Sequence, residues 1–243
     1  MKARERIFVA IDTPDPARAR ALARALTGRV GGFKVGLEAF VANGPALVEE
    51  IRAIGLPVFL DLKLHDIPNT VAGAAAAAGR LGVAFLTVHA LGAASMIRRA
   101  VEASAEGAES AGHPAPCVLA VTVLTSHDDL SLASVGVAGP CLPAVERLAA
   151  VAREARAGGL VCSPLEIVRA RAIFPSATLV VPGIRPATSG ARPADDQARI
   201  AAPGEAVAWG ADRIVVGRPI TGAADPAAAA DAIAADIEAT GPA

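Results

Sequence analysis

Apolar residues along the chain gather in eight short, nearly unbroken runs, each followed by a longer stretch with helical spacing. The runs cover residues 6–11, 32–37, 58–62, 85–89, 118–124, 160–162, 178–181 and 213–216. Continuous runs rich in Val, Ile and Leu suit parallel strands covered on both faces, whereas a half-exposed strand would alternate. The segments 16–26, 45–54, 70–81, 93–105, 143–157, 164–174, 204–209 and 226–237 predict helices. Several begin with proline near the first turn, where its missing N–H costs nothing. Eight βα units at steady spacing predict an α/β fold, a closed (β/α)₈ barrel of the TIM type. A doubly wound open sheet shares the alternation. However, no G-x-G-x-x-G follows the first run, and no Walker sequence occurs.

Length and charge narrow the picture. The 243 residues approach the ~250 of a one-domain barrel. No linker or charge run divides them, so 1–243 is expected to be a single catalytic domain. The net charge is −1 without any Lys/Arg block, so neither nucleic acid nor an anionic membrane is expected as a partner. The start, MKARERIFVAID, turns strand-like without the apolar stretch of a signal peptide. The apolar run 71–78 is too short to span a bilayer. A cytoplasmic protein is expected. Cys117, Cys141 and Cys162 are far apart and form no CxxC, so neither a metal site nor a disulfide framework is expected.

One compositional bias points to chemistry. Among 23 basic residues only Lys2, Lys34 and Lys63 are lysine. Lys2 is at the terminus, but Lys34 and Lys63 stand inside expected strands. Arginine cannot replace lysine where a compact ammonium must give up a proton. Lys63 belongs to Asp61-x-Lys63-x-x-Asp66 at the end of the third run. Residues two apart on a strand share a face, so Asp61 and Lys63 are expected to face the barrel mouth together. Asp66 follows on the loop, and Asp12 and Lys34 end the neighbouring runs. Lysines alternating with carboxylates keep one another ionised. A plain salt-bridge network at a barrel rim would use the same residues, but inward charges are costly to bury without use.

A second cluster is expected across the mouth. The last two runs lead into Gly183-Ile184-Arg185 and Gly217-Arg218. Loops after strands seven and eight of such barrels commonly hold phosphate, and arginine supplies forked donors. The long polar connection 186–198 on the same face is read as a lid.

The motifs that carry these residues are FVAID (8–12), FKVGLE (33–38), FLDLKLHDIPNTV (59–71), TVHALG (87–92), VTVLTS (121–126), VPGIRP (181–186), DDQAR (195–199) and ADRIVVGRPI (211–220). In order and nearly end to end, they resemble bacterial orotidine 5′-phosphate decarboxylases. The resemblance implies loss of carbon dioxide from C6 of orotidine monophosphate, giving uridine monophosphate in pyrimidine biosynthesis, without metal or other cofactor. It implies Lys63 as proton donor, flanked by Asp61, with Lys34 in the same catalytic set. Asp66, with Thr70 beside it, would enter the site of the partner in a homodimer. Asp12 and Lys34 would bind the ribose hydroxyls and Thr125 the pyrimidine, with Ser126 a neighbour. Arg185, Gln197, Gly217 and Arg218 would grip the phosphate. One departure stands out: where the family has Gly-Gly after the fourth strand, this chain has Gly92-Ala93.

The remaining histidines, His65, His89, His113 and His127, read as loop or structural residues. Trp209 reads as helix packing, and Asp128 and Asp129 as caps for the helix after VTVLTS. Two rivals stay open. A magnesium-dependent 3-keto-gulonate 6-phosphate decarboxylase shares the Asp-x-Lys-x-x-Asp signature, although Lys34 and the GIRP and DDQ segments favour the nucleotide enzyme. The other rival is a non-catalytic barrel that binds nucleotide phosphates.

Overall fold

A computed structural model of the chain describes residues 1–186 and 200–240. Eight parallel strands close into a barrel in sequence order. They are β1 (Ile7–Ile11), β2 (Gly32–Gly36), β3 (Val58–Leu64), β4 (Phe85–His89), β5 (Cys117–Val121), β6 (Gly159–Val161), β7 (Thr178–Val181) and β8 (Arg213–Val216). Among the described residues the helices are α1 (Pro16–Leu26), α2 (Leu37–Arg52), α3 (Pro68–Arg80), α4 (Ala93–Ser110) and α5 (Asp129–Ser134), then α6 (Cys141–Glu154), α7 (Ile167–Ile173), α8 (Pro203–Ala208), α9 (Arg218–Thr221) and α10 (Pro226–Thr240). The expected (β/α)₈ barrel is therefore the observed one, and no described helix is long and apolar enough to cross a membrane.

The element boundaries differ from expectation in instructive places. Leu37 starts α2 instead of ending β2. Gly44, at φ 65°, breaks α2 just before Pro45, so the expected helix from 45 is its second half. β5 ends at Val121; Val123, Leu124 and Thr125 line a cavity instead. β3 runs on to Leu64, through a register shift against β4. The alanine run lies in α3, which packs on α4 at very close range. A Cβ on Gly107 would run into the backbone of Ala76, and one on Gly79 into that of Ser104. Trp209 ends α8 and is 39% exposed, so it is covered only in part.

Alternation along the strands sorts the apolar residues into two layers. Ile7, Val9 and Ile11 face outward into the large core shared with the helices. Phe8, Ala10, Phe59, Leu119, Val180 and Val215 form a separate inner cluster. Its centre is three rings, Phe8, Phe59 and Phe85, in edge-on contact with centroids 5.4–6.4 Å apart. Edge-to-face pairs add about 0.5–1.5 kcal/mol each beyond their buried area. Gly32 makes room for this packing, because a Cβ there would strike the Phe8 ring. The rings plug the barrel one layer below the charged residues of its mouth, so that mouth has a dry floor.

Ala93, the residue that departs from Gly-Gly, has φ 65° and ψ 171° at the entry to α4. That region is essentially reserved for glycine and costs other residues about 1–3 kcal/mol. Ala93→Gly is expected to stabilise the protein by about 1 kcal/mol, raising Tm by roughly 2–4 °C for a chain of this size. Differential scanning calorimetry decides the matter, and an unchanged or lower Tm would show that the alanine carries no strain.

Candidate active site

A cavity of about 540 Å³ opens at the C-terminal ends of the strands. Its lining brings together Asp12, Lys34, Asp61, Lys63, Thr125, Arg185, Gly217 and Arg218. All eight were singled out from the sequence, and they come from β2, β3, the loops after β1, β5, β7 and β8, and the first residue of α9. Apolar residues from β5, β6 and β8 (Val121, Val161 and Val215) face the charged ones across the same space.

Four of these residues form a chain of alternating charge. Lys34 Nζ donates to Asp12 Oδ1 at 2.9 Å and lies 3.6 Å from Asp61 Oδ2. Lys63 Nζ lies 2.9 Å from both Asp61 oxygens. Asp61 and Lys34 are buried and Asp12 is open to solvent. Gly36 gives the first pair its space, because a Cβ there would sit 2.7 Å from Asp12 Oδ1 and 2.8 Å from Lys34 Nζ. Burial pushes the Asp61 carboxyl upward. The charges of Lys34 and Lys63, with hydrogen bonds from Lys63 and Thr87, outweigh it and hold the group below its ordinary range. The carboxylate is therefore charged at neutral pH, with Lys63 Nζ beside both of its oxygens.

Two residues that support this chain of charges were not singled out from the sequence. Gly36 is one. Thr87 is the other: fully buried on β4, it donates to Asp61 Oδ1 at 2.9 Å and accepts from the Lys63 backbone N–H at 2.9 Å. Thr87 stands two residues before His89, so strand alternation could have placed it inward.

Other expectations fall elsewhere. Asp66 and Thr70 are exposed and do not line this chain's own cavity; Asp66 accepts from the Ile67 N–H. Ser126 is exposed outside the lining. Gln197 and nearly all of the expected lid lie outside the described residues. The flanks of that segment are tied together, with Arg185 N–H on Ala201 O and Ala201 N–H on Gly183 O. Packing does not require glycine at 217, since a Cβ would meet Ala10 Cβ only at an ordinary 3.6 Å. Asp128 caps α5 as expected, but Asp129 instead accepts from the N–H of Cys141 at the start of α6. Cys141 and Cys162 are buried, and burial pushes the half-buried Cys117 thiol up.

Fold and site together define a barrel enzyme with an acid–base cluster at its mouth. The chain belongs to the orotidine 5′-phosphate decarboxylase / HUMPS family, whose family model matches residues 5–233. It is 54% identical over 232 residues to the orotidine 5′-phosphate decarboxylase of Paramagnetospirillum magneticum, covering 95% of this chain and 97% of that one. It is 56% identical over 238 residues to the enzyme of the same name from Anaeromyxobacter dehalogenans, covering 98% of this chain and all of the other. The crystal structure of orotidine 5′-phosphate decarboxylase from Lactobacillus acidophilus superposes with a TM-score of 0.81 at 38% identity, covering 95% of this chain and 98% of that chain.

Beside the site, His89 stacks on His65 with ring centroids 5.4 Å apart. Burial, with the nearby charges of His65, Lys63 and His127, pushes His89 down to about 4. The unfolded chain binds this proton near pH 6.5, so it takes up a proton the native state refuses. His89 therefore leaves native stability intact above about pH 6.5 and erodes it as the pH falls toward about 4. Thermal melts between pH 7 and 4.5 should fall less steeply for His89→Gln than for the parent. Parallel slopes would mean that His89 takes up its proton as readily in the native protein as in the unfolded chain.

Proposed function

We propose that this chain, acting as one catalytic barrel over residues 1–243 in the cytoplasm, decarboxylates orotidine 5′-monophosphate to uridine 5′-monophosphate. The observation that carries the reading is the Lys63 ammonium held 2.9 Å from both oxygens of a buried carboxylate, in a cavity that also reaches Arg185 and Arg218. Departure of carbon dioxide leaves an electron pair on C6 that the ring delocalises poorly. A fixed ammonium over a dry floor stabilises that pair better than water does, because it needs no reorganisation as the charge develops. Lys63 then gives its proton to C6, which yields the product and a neutral amine that solvent reprotonates. Asp61 holds the Lys63 ammonium in place before the reaction, and Lys34 braces Asp61 from its other side.

The substrate spans the mouth in this reading. Lys34 and Asp12 take the ribose hydroxyls and Thr125 the pyrimidine. Arg185, Arg218, the Gly217 backbone and Gln197 take the phosphate. The open space beside Gly217, which packing does not need, favours close approach of a ligand there. Phosphate is remote from the bond that breaks, so its binding energy serves to close the site over the substrate.

Asp66 and Thr70 act in the partner's cavity within a homodimer. Their exposure supports this, as does that of the apolar residue beside Asp66: Ile67 is 66% exposed. No cofactor takes part, so chelators should leave turnover unchanged; loss of activity with a chelator would favour the magnesium-dependent relative.

Turnover of orotidine monophosphate, followed by its ultraviolet absorbance, tests the activity, and its absence in the wild-type chain would refute it. Lys63→Ala should lower kcat by more than about a thousandfold while calorimetry still detects uridine monophosphate binding. Near-normal turnover in that variant would remove Lys63 from the chemistry. Mixing Lys63→Ala with Asp66→Asn chains should restore up to roughly a quarter of parental activity, since half the random pairs carry one intact site. A mixture no more active than its components would place Asp66 outside the partner's site.

A further inference from the structure

The catalytic lysine occupies a backbone conformation that its own residue type disfavours. Lys63 has φ 50°, in the left-handed region, although it is not glycine. Such a conformation costs roughly 1–2 kcal/mol and needs outside support to persist.

Its cause is visible in the sheet. Leu60 pairs with Leu86 and Leu64 with Val88, so four steps along β3 span two along β4. Asp61, Leu62 and Lys63 bulge out of the ladder between these pairs, which removes the ordinary backbone acceptor for the Lys63 N–H. A buried donor left without a partner is expensive. Thr87 supplies the acceptor: its hydroxyl oxygen takes the Lys63 N–H at 2.9 Å.

The same hydroxyl has one proton to give, and it goes to Asp61 Oδ1 at 2.9 Å. The direction is fixed. A backbone N–H can only donate and an ionised carboxylate can only accept, so a hydroxyl between them must face both ways. Thr87 thus ties the backbone of the lysine to the carboxylate that holds its ammonium. Lys63 Nζ meets both oxygens of that carboxylate. The loop of contacts is closed at both ends of the Lys63 residue.

We infer that Thr87 is a positioning residue for the reaction: its hydroxyl holds the β3 bulge in the form that aims Lys63 and orients Asp61 toward it. Thr87 touches no substrate. It is fully buried behind the pair, and it does not line the cavity. A buried strand position on a barrel wall would accept valine as readily as threonine if packing alone mattered, and the two have nearly the same shape. The hydroxyl, not the volume, is what the bulge requires.

This inference rests on the decarboxylase reading, and its test separates the two. In the orotidine monophosphate assay, Thr87→Val should lose about 10- to 100-fold in kcat, the size expected for losing a hydrogen bond to a charged group and orphaning a buried donor. KM should change less than about threefold, because the groups that bind substrate are untouched. Thr87→Ser should recover kcat to within about threefold of the parent, since it restores the hydroxyl.

A second readout needs no turnover. Carbon-13 NMR titration of the Asp61 carboxyl, assigned with Asp61→Asn, should give a higher midpoint in Thr87→Val than in the parent, while Lys34 and Lys63 stay in place on either side. Should the valine variant not fold, Thr87→Ala is read in the same two assays. Parental kcat in Thr87→Val, or serine and valine variants equally impaired, would overturn the inference. So would an unmoved Asp61 midpoint. If the wild-type chain does not turn over orotidine monophosphate, the functional reading fails, and the Asp61 titration still decides whether Thr87 governs the pair.

Discussion

The structure turns on one buried carboxylate shared between two ammonium groups. Asp61 lies 2.9 Å from Lys63 Nζ and 3.6 Å from Lys34 Nζ, with little solvent to screen Asp61 or Lys34. Taking charges out of water costs several kcal/mol apiece after relaxation, and only good geometry with further hydrogen bonds recovers it. The surroundings of Asp61 meet both conditions. The three-ring plug below keeps the floor dry, Gly36 leaves room for the Lys34–Asp12 pair, and the Thr87 hydroxyl takes a remaining lone pair. Deleting Asp61 would leave two ammonium groups side by side without the carboxylate between them.

Each barrel element contributes to this arrangement in a distinct way. β2 turns Gly32, Lys34 and Gly36 inward, so the residues beside its single charged side chain are small enough to admit Phe8 from below and Asp12 from above. β3 carries the reacting pair and gives up regular pairing to do so. β5, β6 and β8 supply apolar wall opposite the charges. The outward faces of the same strands read as ordinary core, because the helices cover them throughout. The division of labour between inner and outer faces lets a chain with few aromatic residues spend three of its phenylalanines beneath the site.

Much of this was legible in the sequence. Buried parallel strands leave a strong signature in continuous apolar runs, so all eight are legible from sequence alone. The scarcity of lysine marked Lys34 and Lys63, and the two-residue strand period put Asp61 beside Lys63. Less legible were features that depend on neighbours in space. The register shift in β3 arises from pairing with β4, and no local pattern in DLKL announces φ 50° at a lysine. Thr87 looked like one more strand residue because threonine suits strands on propensity alone. β5 was drawn too long because Val123 and Leu124 continue its apolar run, although they turn toward the cavity. Gly92-Ala93 was noticed as a substitution, but only the backbone angles give it a consequence.

The scarcity of lysine beside arginine has a practical corollary. Guanidinium groups are inert to reagents that acylate or reductively alkylate primary amines at neutral pH. Apart from the terminus and Lys2, the only side-chain amines are Lys34, 11% exposed, and Lys63, 31% exposed. An amine-selective label would therefore mark only the first two residues and the mouth of the barrel, and a ligand seated in the mouth would shield the second pair of amines. The composition that first drew the eye to two positions also makes the protein a natural reporter of its own occupancy.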